Sequence, residues 1–147
     1  MEIDITKRNY KNIEDLINDA EFILKNNKFE LTTEEKTKVF WNFIFNYAKL
    51  YKKNNSKYPN SEEQLYELNP FVNLLNEYLK QMDLHFKLDR IKSTYKKDSK
   101  ICIAELFFIT PSFWDFYKFG KISKGIIKKS FMTTSTNESK SKITIYL

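Results

Sequence analysis

Glycine, cysteine, histidine and arginine are all scarce in this 147-residue sequence, and each shortage excludes something. Gly120 and Gly125 are the two glycines, whereas a dinucleotide fingerprint or a phosphate-cradling P-loop needs several in close succession. The single cysteine, Cys102, excludes an internal disulfide framework. With His85 the one histidine, too few soft ligands remain for a Cys/His zinc site, so no metal is expected. Long apolar runs are missing too. The densest, Ile101 to Ile109, contains Glu105 and falls well short of the roughly 20 residues that cross a bilayer. The start, Met1-Glu2-Ile3-Asp4-Ile5, has neither the basic nor the apolar region of a secretory leader. The expectation is a cytoplasmic protein that does not enter membranes.

Aromatic bulk and lysine are abundant. Thirteen Phe, nine Tyr and two Trp supply the mass of a packed core and exclude a disordered or collagenous chain. The length suits one domain, 1–147. The formal charge of +6 is uneven: residues 1–70 hold 11 Lys/Arg against 12 Asp/Glu, and residues 71–147 hold 14 against 7. A basic second half suits nucleic acid, a phosphate-bearing ligand or an acidic protein partner. Of the cations only Arg8 and Arg90 are arginines, although readers of base edges favour arginine forks. A compositional bias of the source genome toward Lys, Asn and Ile is the competing explanation.

The texture changes along the chain from helical to extended. Asn12 caps a helix with Glu14 and Asp15 in its first turn, and Ile13, Leu16, Ile17, Ala20 and Leu24 form one stripe. Thr32 to Glu35 is a capping box. The helix behind it runs to about Asn54, with Val39, Phe40, Phe43, Ile44, Tyr47 and Tyr51 on one stripe. Trp41 and Phe45 lie off that stripe, which predicts a central helix apolar nearly all round. A polar loop is expected over Lys52 to Asn60, then a second capping box at Ser61 to Gln64. A further helix, with Pro70 in its first turn, extends to about Met82.

Beyond Met82 the period falls to two. Leu84, Phe86 and Leu88 alternate with polar residues, and Arg90 keeps the parity of the apolar set. Lys92 to Lys100 is a basic spacer, and Ile101 to Ile109 is a buried strand or short helix. Pro111 to Phe119 is an aromatic turn or helical segment closed by Gly120. Ile122, Ile126-Ile127, Phe131 to Thr133 and Ile143 to Leu147 are expected as short strands. The predicted class is α+β, with three to four helices over about 11–82 and a small, mainly antiparallel sheet over about 84–147.

Catalytic candidates are few. His85 is the sole imidazole base and sits among charged neighbours on a strand pattern. Cys102, between two isoleucines, has the setting of a buried apolar group. The pairs Glu34-Glu35 and Glu62-Glu63 are explained as helix-start acids. A binding surface is better represented. Trp114 and Tyr117, with Phe113, Phe116 and Phe119, interleave with Lys118, Lys121, Lys124, Lys128 and Lys129, the makings of a stacking platform with a cationic rim. The same rings also suit a core packed against the helices.

The segment Gly120 to Asn137 places Phe131-Met132 before Thr133-Thr134-Ser135, with a strand pattern following. It resembles the central Ser-Thr-Ser motif of the toxin-like mono-ADP-ribosyltransferases. Upstream, Leu31 to Lys36 is similar to a helix start of that family, and Phe86 to Arg90 to its arginine-bearing strand. The resemblance implies a cleft for NAD as cofactor, with Arg90 on a phosphate or ribose and Thr133, Thr134 and Ser135 bracing the site. Ile91 stands where many members have glycine, and Thr133 replaces the first serine. The family's Glu-x-Glu or Gln-x-Glu pair has no counterpart before Leu147. Without that carboxylate nothing obvious stabilises an oxocarbenium-like ribose. The expectation is a shortened or catalytically defective domain that binds NAD weakly or not at all. Catalytic residues are left unassigned. The alternative is a non-enzymatic basic module that docks on nucleic acid or an acidic protein.

Overall fold

A computed structural model of the chain describes residues 10–25, 32–57, 68–96, 98–111, 113–127, 131–137 and 140–146. The architecture is α+β, with helices first and the sheet second.

Helix α1 (Ile13–Lys25) starts where the Asp15 amide donates to Asn12 Oδ1 at 2.9 Å. It buries Leu16, Ala20 and Ile23 on one stripe. Helix α2 (Thr33–Lys57) starts on a complete capping box. There the Glu35 amide donates to Thr32 Oγ1 at 3.1 Å, and the Thr32 amide donates to Glu35 Oε1 at 3.2 Å. The polar loop expected from Lys52 is corrected: the helix continues to Lys57. Lys52-Lys53-Asn54-Asn55-Ser56-Lys57 holds no Gly or Pro, so nothing local stops it. The capping box at Ser61 to Gln64 and the pair Glu62-Glu63 lie outside the described residues.

Helix α3 (Leu68–Gln81) carries Pro70 in its first turn and buries Phe71, Leu75, Tyr78 and Leu79. It ends in a Schellman motif. The Leu84 amide donates to Leu79 O at 3.2 Å and the Asp83 amide to Lys80 O at 3.0 Å, with Asp83 at φ 56°. The chain leaves directly into strand β1 (Lys87–Lys96). The expected basic spacer is therefore mostly strand, and residues 98–100 form the turn to β2 (Ile101–Ile109).

Helix α4 (Phe113–Ile126) follows and runs straight through Gly120. The strands expected at Ile122 and Ile126-Ile127 are thus corrected to helix and its exit. Phe116, Phe119, Ser123 and Ile127 are buried at steps of three and four, the period of one helical stripe. Strands β3 (Phe131–Asn137) and β4 (Lys140–Tyr146) complete an antiparallel sheet of order β1-β2-β4-β3.

The helices pack on the sheet face that carries Cys102, Ala104, Leu106 and Phe108 of β2 with Ile143 and Ile145 of β4, all buried. Central α2 is buried round most of its middle, but it is not apolar all round as expected: Phe40, Trp41, Phe43 and Ile44 are fully buried, and Asn42 and Asn46 are buried beside them. Phe40, Phe86, Phe108, Phe116 and Phe119 meet in edge-on and tilted pairs with centroids 5.3–6.2 Å apart.

Candidate functional site

The other face of the sheet takes the alternate residues, and there Ile101, Ile109 and Tyr146 are exposed. Arg90 belongs to this face, which corrects its expected parity. Leu88 pairs with Phe108 and Arg90 with Phe107, so Asp89 is an extra residue in the ladder. Such a bulge flips every later residue to the opposite side. Leu88 faces the core, and Arg90 stands over the Phe107 ring with its guanidinium carbon 4.4 Å from the centroid.

Phe107 pairs onward with Lys142, whose Nζ lies 6.0 Å from the same ring and 3.2 Å from Glu105 Oε2. The geometry is a cation–ring–cation row across three strands. Beside it lies a depression of about 430 Å³ lined by Asp89, Arg90, Phe107, Ile109, Lys140 and Lys142 among others. Lys142 is engaged by Glu105, whereas Arg90 has no carboxylate partner among the described residues. A guanidinium over a ring uses its π-face for that contact and leaves N–H donors for a planar or tetrahedral oxyanion.

The Ser-Thr-Ser-like positions are split by the register. Ser135 pairs with Lys142 and so completes the row Arg90–Phe107–Lys142–Ser135. Thr133 pairs with Thr144 in the next row of that face. Thr134 pairs with Ile143 in the row of Leu106 and Ile91, all three of them buried. Arg90 and Ser135 are three strand spacings apart, about 14 Å. One small group cannot bridge them, and an extended ligand crossing the strands can.

Other candidates separate clearly. His85 is exposed just before β1, and its backbone N–H donates to Asp115 Oδ2 at 2.8 Å. Its imidazole activates no hydroxyl or thiol among the described residues. Cys102 is buried, and burial pushes its thiol up to about 11, with Lys52 pulling weakly the other way. It is no nucleophile near neutral pH. Glu34 and Glu35 serve the start of α2. Among the described residues no three of His, Cys, Asp and Glu converge.

The aromatic segment divides by helical geometry. Phe116 and Phe119 fill the core, whereas Trp114 is 62% exposed and Tyr117 43%. Lys118, Lys121 and Lys124 are exposed on α4, and Lys128 and Lys129 lie outside the described residues. Phe107, Lys140 and Lys142 escaped the sequence reading. The run 101–109 is apolar at nearly every position, so its alternation, the one signal for a face, is hidden.

No protein-family model, curated protein or solved structure matches the chain. The likeness to ADP-ribosyltransferases rests on the quoted residues alone.

Proposed function

We propose that this chain is a binding module for a phosphate-bearing ligand, held on the open face of the sheet with Arg90 as its anchor. One observation carries the reading: Arg90 lies pre-oriented on Phe107, free of any described carboxylate, at a depression shared with Lys140 and Lys142. Among the described residues six cations (Lys87, Arg90, Lys92, Lys96, Lys140 and Lys142) occupy the rows of this face against Glu105, and the bulged Asp89 adds a second acid at the depression. Such a field concentrates anions and steers them. The fork of Arg90 adds geometric selection for phosphoryl oxygens that lysine alone lacks.

The test is calorimetric titration of the full chain with inorganic phosphate, ADP and NAD, repeated with Arg90→Ala and Arg90→Lys. Binding of ADP weakened about tenfold or more by both variants is the expected result, because a lysine cannot reproduce the fork. No heat from any of the three at millimolar concentration overturns the reading.

The second reading, an ADP-ribosyltransferase-like NAD cleft, is favoured by the shared row of Arg90 and Ser135. It requires NAD to bind more tightly than ADP, with Ser135→Ala and Thr133→Ala lowering that preference. Equal affinity for NAD and ADP removes it while leaving the phosphate site standing. Hydrolysis of NAD by the pure protein would show that a carboxylate other than Glu-x-Glu suffices.

A further inference from the structure

The core accounts for Phe116 and Phe119 of α4 but not for Trp114 and Tyr117. These two lie at i and i+3, and their rings stack with centroids 5.7 Å apart and planes 20° from parallel. Lys118 Nζ lies 5.7 Å from the Trp114 centroid, and Lys121 Nζ lies 5.3 Å from that of Tyr117. Positions 114, 117, 118 and 121 follow the spacing of a single helix face. The one acid of that helix, Asp115, is engaged by the backbone of His85. The stripe is therefore cationic and aromatic together.

We propose that this stripe binds single-stranded nucleic acid. An unpaired base stacks on the Trp114–Tyr117 pair, and flanking phosphates take the ammonium groups of Lys118, Lys121 and Lys124. Charge and shape select that occupant together. An acidic peptide complements the lysines but leaves two exposed ring planes without use. A duplex complements the lysines too, but its bases are already stacked on one another. A single strand offers both an open π-face and a phosphate to each contact. The exposed lysines now resting over the rings have long stems that let them turn to the phosphates when a base takes their place. Stacked rings on a helix are ordered before binding, so little further entropy is lost. This surface lies on the helical side of the sheet, away from the row of Arg90, and does not rest on the phosphate site proposed there.

The two tryptophans make the test specific. Trp41 is fully buried and Trp114 is exposed, so a ligand-induced change in emission reports on Trp114. The full chain is titrated at low salt with a thymidine strand of about 12 nucleotides, a duplex of equal length and polyglutamate. Affinity is followed in parallel by anisotropy of the end-labelled strand. The expected result is quenching by the single strand, with Trp114→Ala weakening its binding about tenfold or more. Because the emission change reads Trp114 itself, it is scored apart from any seating of the strand's phosphates at the sheet-face site, which separates failure here from failure of that site. With three phosphate contacts, log affinity should fall by about 2 per decade of salt. Because Trp114 is exposed, the variant should melt with the wild type. Equal binding of the single strand by Trp114→Ala overturns the proposal. So does a duplex or polyglutamate that binds as tightly as the single strand.

Discussion

The indole N–H of Trp41 donates to the hydroxyl of Ser123 at 2.7 Å, joining α2 to α4 across 82 positions of sequence. The hydroxyl passes its own hydrogen to Phe119 O at 2.6 Å, so both atoms are satisfied inside the core. This bond acts with the buried Phe116 and Phe119 to hold the rotation of α4, and with it which ring of the aromatic segment is buried and which is presented.

Ser123→Ala should therefore cost about 1–3 kcal/mol, because it leaves a buried indole N–H without an acceptor. Urea denaturation measures it directly. A midpoint equal to that of wild type would mean that water or a shifted carbonyl replaces the hydroxyl.

Tyr78 presents the opposite case. Its ring is 2% exposed, and its hydroxyl has no partner among the described residues. Tyr78→Phe removes a desolvated polar group at almost no change in shape. Stability should be unchanged or rise by up to about 1 kcal/mol. A loss above about 1 kcal/mol in a thermal melt would reveal a hydrogen bond that the hydroxyl makes.

Alkaline solution should unfold the protein through groups that burial keeps protonated. The Cys102 thiol is raised to about 11 from an ordinary 9.0 by burial. Tyr47 and Tyr78 are raised above an ordinary 10.0, also by burial first. A group with a raised folded pKa contributes its stability fully below the unfolded value. That contribution is lost as pH rises toward the folded one, since the unfolded chain then releases protons first. Stability should be flat up to about pH 8 and fall above about pH 9, by at most about 1.4 kcal/mol per pH unit for each group. Denaturant midpoints at successive pH values test it, and Cys102→Ala should shrink the first part of the fall.

Gly120 lies inside α4, and a Cβ built there meets nothing within 4 Å. Its φ is not positive, so no conformational demand calls for glycine. Gly120→Ala should raise stability by about 0.5–1 kcal/mol through lower backbone freedom in the unfolded chain. A lower melting temperature would mean that the helix wall must move to admit a methyl group.

Local chemistry carried the helical half. The reciprocal Thr32–Glu35 box spans one helical turn, and the Asn12 cap likewise involves neighbours alone, so the residues themselves state where α1 and α2 begin. The end of α2 was less legible, because solvated Lys and Asn suit a helix exit and a helix surface equally. Of the binding candidates, Arg90 and Trp114 were visible as residue types, but their surroundings were not.

By itself, then, the sequence determined the α+β order, the N-terminal starts of α1 and α2 and the apolar stripes, since each depends on spacings of three, four or two residues along one chain. Tertiary structure alone decided the rest. The bulge at Asp89 is a property of β1 paired against β2, and it turns Arg90 from the core side to Phe107. Phe107 and Lys142 become neighbours only through the β2–β4 ladder, and Trp114 is left outside because Phe116 and Phe119 pack into the core, a rotation of α4 that the Trp41–Ser123 bond joins to α2. A ladder register and a helix rotation are settled by contacts between segments far apart in sequence, and no local spacing encodes them.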